Sequence, residues 1–539
     1  MALQRMIRPS AAALAAMLVV AACGAQTPSG PAASPAGTAA GTAKVELATT
    51  QELTVATMTD GYRNDATRTN IGMYPLNANI FDTLVTLSPD YQVMPGLATQ
   101  WEFRAPNTYR FTLRPGVKFH DGTAFTAKDV VWAIQRIAKQ GGGTVGVSEA
   151  SAVAVGDLTV DITPKAPNLR ALQQLVHPAW SIAKAESDTV KAMGTGPFKL
   201  TEYVKGERIV VSANDDYWGG KPTLRKITFR FLPDANTRVL ALQAGEVQIS
   251  DIPKESAKTL TGDFSVSRSK VGAYEAMYIN IHGKQGYDLG MDPAIRQAIA
   301  YAIDKKVVVE SVWQGNAEIS QTMIPSGILG PEASRITGTN RDVTKAKKLL
   351  DDAGWKAGAD GIREKAGRKL SLTMVVGFPN ADVHKPMPEF AQAQFKEIGI
   401  DVKIVVTPDT ATYEKRLATG EGDIWVEAGS QNDANPCFLP DLLFSSPKPG
   451  GDEEANMYGN SFAPGATFDA SIKRCREATS TADVQKAATD AMKLLVDEQF
   501  VVVPLAGTYR INGINKKVLD FVVHQAGVHQ RWETVKLSK

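Results

Sequence analysis

The apolar positions of this chain fall into short runs with two distinct periods. Leu53-Thr54-Val55-Ala56 alternates, as does Tyr109-Arg110-Phe111-Thr112-Leu113-Arg114, and both read as strands with one buried face. Pro115-Gly116 ends the second, Val117-Lys118-Phe119 predicts a further short strand, and Asp121-Gly122 turns the chain again. Thr126 then caps a helix with Asp129 three residues on, the spacing of a capping box. Val130, Ala133, Ile134 and Ile137 mark its buried face, and Gly141-Gly142-Gly143 ends it. Strands follow at 208–211 and 227–231, and a helix at 236–244 closes on Gly245. Asp292-Pro293 opens another helix, with Ile295, Ala298, Ile299, Ala302 and Ile303 on one face. Asp342 caps the next, which buries Ala346, Leu349, Leu350 and Ala353 and stops at Gly354. A helix over 390–398 ends at Gly399, and Ile400, Val402 and Ile404 resume the period of a strand. Strand–helix–strand units dominate this half, which predicts mixed α/β domains. No repeat of short fixed period is present.

The N-terminus breaks the pattern. Arg5 and Arg8 precede the nearly all-apolar stretch 11–22, and Val20-Ala21-Ala22 leads directly into Cys23. A basic start, a short apolar run and small residues form an export signal. The run is shorter than the about 20 apolar residues that span a bilayer comfortably. A Cys directly after Ala-Ala resembles a bacterial lipobox. That implies a leader over 1–22 and lipid on Cys23, the first mature residue, as an anchor on the outer face of the cytoplasmic membrane. Residues 23–44 are rich in Ala, Gly, Ser, Thr and Pro and read as a flexible tether reaching about 25 Å as a coil.

The length of 539 residues calls for two or three domains, and 43% hydrophobic with 22% charged residues is ordinary for a globular protein. Loss of Arg5 and Arg8 with the leader takes the formal charge from +2 to zero. Nothing electrostatic then favours nucleic acid or an anionic membrane surface. Cys437 and Cys475 remain as an even pair in an exported, oxidising setting, so a disulfide is expected, with two buried free thiols as the alternative. The six histidines form no His-Glu-x-x-His pattern, and His524 and His529 are too loosely spaced for a metal site. Gly-x-Ser-x-Gly and Gly-x-x-x-x-Gly-Lys-Ser/Thr are absent. The expectation is a binding protein with no catalytic residue, no metal and no cofactor.

Several segments, in order, carry a family resemblance. They are Leu97-Ala98-Thr99-Gln100-Trp101, the run from Tyr109 to Thr123, and Phe125-Thr126-Ala127-Lys128-Asp129-Val130-Val131. Gly194-Thr195-Gly196-Pro197-Phe198-Lys199-Leu200, Asp216-Tyr217-Trp218-Gly219-Gly220-Lys221-Pro222 and the runs 233–246, 295–304 and 346–354 continue the series. The chain resembles the extracytoplasmic solute-binding proteins of ABC importers, in the dipeptide/oligopeptide group called family 5. His120, Tyr217 and Trp218, within these motifs, read as turn and packing residues.

The resemblance implies a two-lobed clamp of the type II periplasmic-binding-protein kind, α/β, with an extra domain inserted in the first lobe. Lobe I would be 45–82, 189–284 and 506–539, the extra domain 83–188 and lobe III 285–505. The hinge would lie near Tyr278-Ile279-Asn280-Ile281 and Val503-Pro504-Leu505. It further implies a monomer that takes a small organic solute, a peptide or peptide-like compound, and hands it to a permease and its ATPase. A ligand-sensing surface receptor with the same clamp, or a binder of an oligosaccharide or other non-peptide solute, is the alternative.

Peptide-binding relatives carry Trp-x-x-Asp before a Pro, where the Asp neutralises the peptide ammonium. Counting back from Pro436, those positions fall on Gly429 and Asn432, with Asp433 one residue away and Trp425 the nearest aromatic. A neutral Asn does not replace a buried counter-charge, so an uncharged, capped or sugar-like ligand gains weight. The candidate ligand contacts are Tyr62, Asn70 and Tyr74, after the first strand, and Trp425, Asn432 and Asp433. Thr508 and Tyr509, after the expected hinge, are weaker ones.

Overall fold

The computed structural model describes residues 45–58, 74–139, 145–165, 168, 170–185, 192–377, 386–447, 453–478 and 480–539. The expected leader and tether with Cys23, the candidates Tyr62 and Asn70, and the helix stop at Gly141-Gly142-Gly143 lie outside the described residues. No helix among the described residues is long and apolar enough to cross a membrane.

The alternation at 53–56 forms the strand Glu52–Thr57, the centre of a seven-stranded sheet. It runs parallel to Lys226–Phe231 on one side (Leu53 opposite Ile227) and to Ile249–Asp251 on the other (Val55 opposite Ile249). Helix Ala235–Gln243 connects these two neighbours and is capped by Asp234, whose carboxylate accepts from the Thr237 N–H. The chain therefore crosses over the central strand, and the carboxyl ends of three parallel strands face one way. That is where open α/β sheets place ligands. Antiparallel strands Arg208–Ala213 and Phe198–Val204 extend one edge, and Ile511–Asn515 and Phe264–Arg268 the other. Leu53, Val55, Phe198, Ile209, Ile227 and Ile249 pack in one core with Trp532 from the C-terminal tail.

The second large sheet has six strands in the order Ala317–Ile319, Val502–Thr508, Ala273–Ile279, Ile424–Ser430, Ser371–Val376 and Asp401–Val406. Helix Pro293–Ala302 starts with Pro293 and an Asp292 cap, Val343–Asp352 with an Asp342 cap, and both bury apolar faces against this sheet. Helix Pro386–Glu397 begins four residues earlier than its apolar pattern predicts and ends before Gly399, at φ +84°.

Both segments expected at the hinge run through this sheet. Tyr278-Ile279 and Val503-Pro504-Leu505 lie within paired strands of the second sheet, with Met277 opposite Val503. The strand Ala273–Ile279, expected in lobe I, belongs to the second sheet as well. The passages between the sheets are 269–272 and 509–510. There the Ser269 N–H donates to Arg510 O at 3.1 Å and the Arg510 N–H to Ser269 Oγ at 2.9 Å. Alternation marks a strand but not the sheet it joins.

A four-stranded antiparallel sheet, in the order Ala98–Arg104, Thr108–Leu113, Thr159–Ile162 and Ala152–Gly156, lies within the expected extra domain. Helix Ala127–Lys139 covers it, burying Ala127, Val130, Ala133, Ile134 and Ile137. At its start the Thr126 N–H donates to Asp129 Oδ2 at 2.8 Å. The strand expected at Val117-Lys118-Phe119 is only an isolated bridge from Lys118 to Ala124, because the Asp121-Gly122 turn follows too soon for a ladder. The apolar residues of this region run into the same cluster as Tyr274 and Trp425 of the second sheet.

The family motifs hold the first sheet to its surroundings. Gly194 and Gly196 pass against the carbonyls of Ile80 and Asn79, and a Cβ at Gly196 would lie 2.6 Å from Asn79 O. Thr195 Oγ1 and Trp218 Nε1 each donate to the buried Asp82 carboxylate at 2.9 Å. His120 is half-buried with Nε2 3.1 Å from Gly196 O, and desolvation pushes its pKa down.

Candidate functional site

A cavity of about 740 Å³ opens at the carboxyl ends of the three parallel strands. Size and lining are those of a pocket for one drug-sized ligand, mostly apolar with a few polar groups. Phe229 and Phe231 reach it from the strand Lys226–Phe231, and Asp251 from Ile249–Asp251. The C-terminal tail adds Phe521 and Trp532, whose rings stack with centroids 5.0 Å apart. From the side of the second sheet come Trp313, Pro386 and Tyr509. A solute filling the cavity therefore touches strands of the first sheet together with residues of segments that flank the second, as a closing clamp requires.

The polar part of the wall is charged. The Arg238 guanidinium donates to the carbonyls of Leu232 and Pro233, each at 2.8 Å, and pairs with Asp251 at 2.9 Å. Asp251 is open to the cavity, yet the protein around it pushes its pKa up against the pull of Arg238. Lys254 Nζ lies 4.7 Å from the centroid of the Trp313 ring and 4.0 Å from Glu255. The indole N–H of Trp313 donates to Glu275. Arg510, on the passage between the sheets, donates from Nε to Gln525 O at 3.1 Å, with Nη2 3.5 Å from Ser430 Oγ. Burial pushes its pKa below the ordinary arginine value. Among the described residues no group of three or more His, Cys, Asp or Glu could hold a metal ion.

The described candidates Trp425, Asn432 and Asp433 do not line this cavity. Trp425 is fully buried between Tyr413 and Phe462, ring centroids 5.3 and 6.4 Å away, and is a core residue rather than a cavity wall. Asp433 is buried and turned into its own loop, with Oδ1 accepting from the Asn435 N–H at 2.9 Å and Gln431 Nε2 at 2.8 Å. Burial pushes its pKa up to about 7. The carbonyl of Asn432 is 2.8 Å from His529 Nε2. None of these three lines the cavity. Tyr74 opens the helix Tyr74–Ile80. Cys437 and Cys475 are joined in a disulfide, Cα atoms 6.6 Å apart. His524 and His529 come together, ring centroids 5.4 Å apart, both with pKa lowered by burial.

Among the described residues, Tyr509 is the one sequence candidate that lines the cavity. Lys254 and Glu255 had a signal, since they follow directly on the carboxyl end of a strand. Arg510 had one in being next to Tyr509.

Residues 92–451 match the bacterial extracellular solute-binding proteins, family 5 Middle, and the chain belongs to that family. It is 30% identical over 329 residues to the oligopeptide-binding protein AppA of Bacillus subtilis, covering 57% of this chain and 60% of that protein. It is 28% identical over 485 residues to the dipeptide-binding protein of Escherichia coli, covering 83% of this chain and 86% of that one. The crystal structure of NikA from Brucella suis in complex with Fe(III)-EDTA superposes with a TM-score of 0.79 at 25% identity, over 90% of this chain and 100% of that chain. The α/β, two-lobed architecture expected from the sequence is the architecture of this family.

Proposed function

We propose that this protein is the solute-binding component of an ABC importer. It captures a peptide or related organic solute outside the membrane and delivers it to the permease, whose ATPase supplies the energy. The observation that carries this reading is the cavity of about 740 Å³, walled by Phe231 and Asp251 of the first sheet and by Trp313 and Tyr509 beside the second. A ligand spanning it favours the closed arrangement because it contacts both. The names of the Bacillus and Escherichia relatives support an oligopeptide or dipeptide class. A solute without a free ammonium is favoured by Asn432 and by Asp433, whose carboxylate is spent on its own loop.

The chain acts as a monomer anchored by lipid on Cys23, with 23–44 as tether. Melting the lipid-free protein with peptide, oligosaccharide and organic-acid libraries tests the capture. One class raises Tm, since a ligand that binds only the folded state stabilises it. No shift with any class contradicts the reading. Cys23→Ala releases the protein from membranes, and retention after that change contradicts the anchor.

A further inference from the structure

One cation of the cavity wall stands apart from the ion pairs. Arg238, Lys254 and Arg510 face the cavity together with Asp251 and Glu255. Arg238 is matched by Asp251 at 2.9 Å, and Lys254 lies beside Glu255 and over the face of Trp313. The guanidinium of Arg510 reaches one carbonyl and one hydroxyl and forms no ion pair among the described residues. Asp251, already paired with Arg238, acts on it only through space, and a planar guanidinium fork without a direct carboxylate partner is shaped for an oxyanion. The neighbouring wall is aromatic: Phe229 meets Trp532 edge to face at 5.8 Å, and Phe521 stacks on the same indole.

We propose that the solute carries an oxyanion, a carboxylate or a phosphate, that seats on Arg510, with an apolar or aromatic body against Phe231 and Trp532. This deepens, and rests on, the solute-binding reading above. Arg510 lies on the passage between the sheets, where its backbone is tied to Ser269. An anion held there sits at the pivot while its body reaches the first sheet. Charge on the solute thereby selects which compounds close the clamp.

Calorimetric titration of the full mature chain tests this with matched probes: N-acetyl-Phe-Phe, its C-terminal amide, Phe-Phe amide and phenyl phosphate, followed by a panel of aryl carboxylates with their carboxamides. The expected result is binding of oxyanion members at least about tenfold tighter than their neutral counterparts, with that preference lost in Arg510→Gln. Arg510→Lys, which keeps the charge but not the fork, retains part of it. Its melting curve shows whether the site variants fold. The carboxylate and phosphate members tell the two oxyanions apart. Amides or amines binding as tightly as the acids, or Arg510→Gln keeping the preference, overturns the inference and leaves the solute-binding reading standing. No binding by any probe, together with no shift across the wider libraries, overturns both.

Discussion

Asp82 and Arg531 are 449 residues apart in sequence, and Arg531 Nη1 lies 3.3 Å from Asp82 Oδ1. The carboxylate is fully buried and also accepts from Thr195 and Trp218. The same guanidinium donates to Ala78 O at 2.7 Å and to the Tyr217 hydroxyl at 2.6 Å. The C-terminal tail is thus fastened to the first sheet's surroundings through one buried charge. Arg531→Met leaves Asp82 buried with no counter-charge, and denaturant unfolding is expected to show a loss of about 3–5 kcal/mol. Adding Asp82→Asn to that variant recovers part of the loss, because the stranded charge is gone. A single variant within about 1 kcal/mol of wild type contradicts this account.

The Cys437–Cys475 disulfide closes a loop of 38 residues between the helices Phe438–Phe444 and Ala466–Glu477. On chain-entropy grounds a loop of that size restricts the unfolded state by about 4 kcal/mol. The paired variant Cys437→Ser/Cys475→Ser is expected to unfold at correspondingly lower denaturant. Intact protein should show the same loss when reductant is present throughout. An unchanged midpoint under reductant argues against the bridge.

Asp433 gives stability a signature in pH. Its pKa is pushed up to about 7 in the folded protein by burial, with Arg170 and the loop hydrogen bonds opposing, against 3.8 when unfolded. Between those values the folded state holds a proton that the unfolded state has lost. Stability from this group is present below about pH 4 and is lost as the pH rises through 7. Asp433→Asn removes the penalty, so its advantage over wild type grows from pH 4 to pH 7 and then levels. Urea unfolding at four pH values reads this directly. A constant gap between the two proteins contradicts it.

The local part of the fold was legible in the sequence. Thr126 with Asp129, Asp292 with Pro293, and Asp342 start helices where the cap chemistry says they should. The strand Lys226–Phe231 buries alternate residues as its pattern predicts. The site was not legible, because long-range pairing assembles it. Phe231 and Asp251 reach one cavity only because both strands align with Glu52–Thr57. Trp425 misled because a tryptophan suits a ligand wall and a core alike. Its neighbours Ile424 and Val426 are buried too, so the strand is covered on both faces and its tryptophan is core. Sequence does not show that the Asp433 carboxylate accepts from its own loop, because that depends on how the loop turns.

The cavity beside Phe231, and not the loop around Asn432, is expected to hold the solute. Calorimetric titration with the tightest compound from the libraries tests it on three proteins: wild type, Phe231→Ala and Asn432→Ala. Phe231 is buried in the cavity wall, and its loss is expected to weaken binding by about tenfold or more. Asn432→Ala is expected to bind within about twofold of wild type. The reverse pattern, with Asn432→Ala losing the solute and Phe231→Ala keeping it, contradicts the claim.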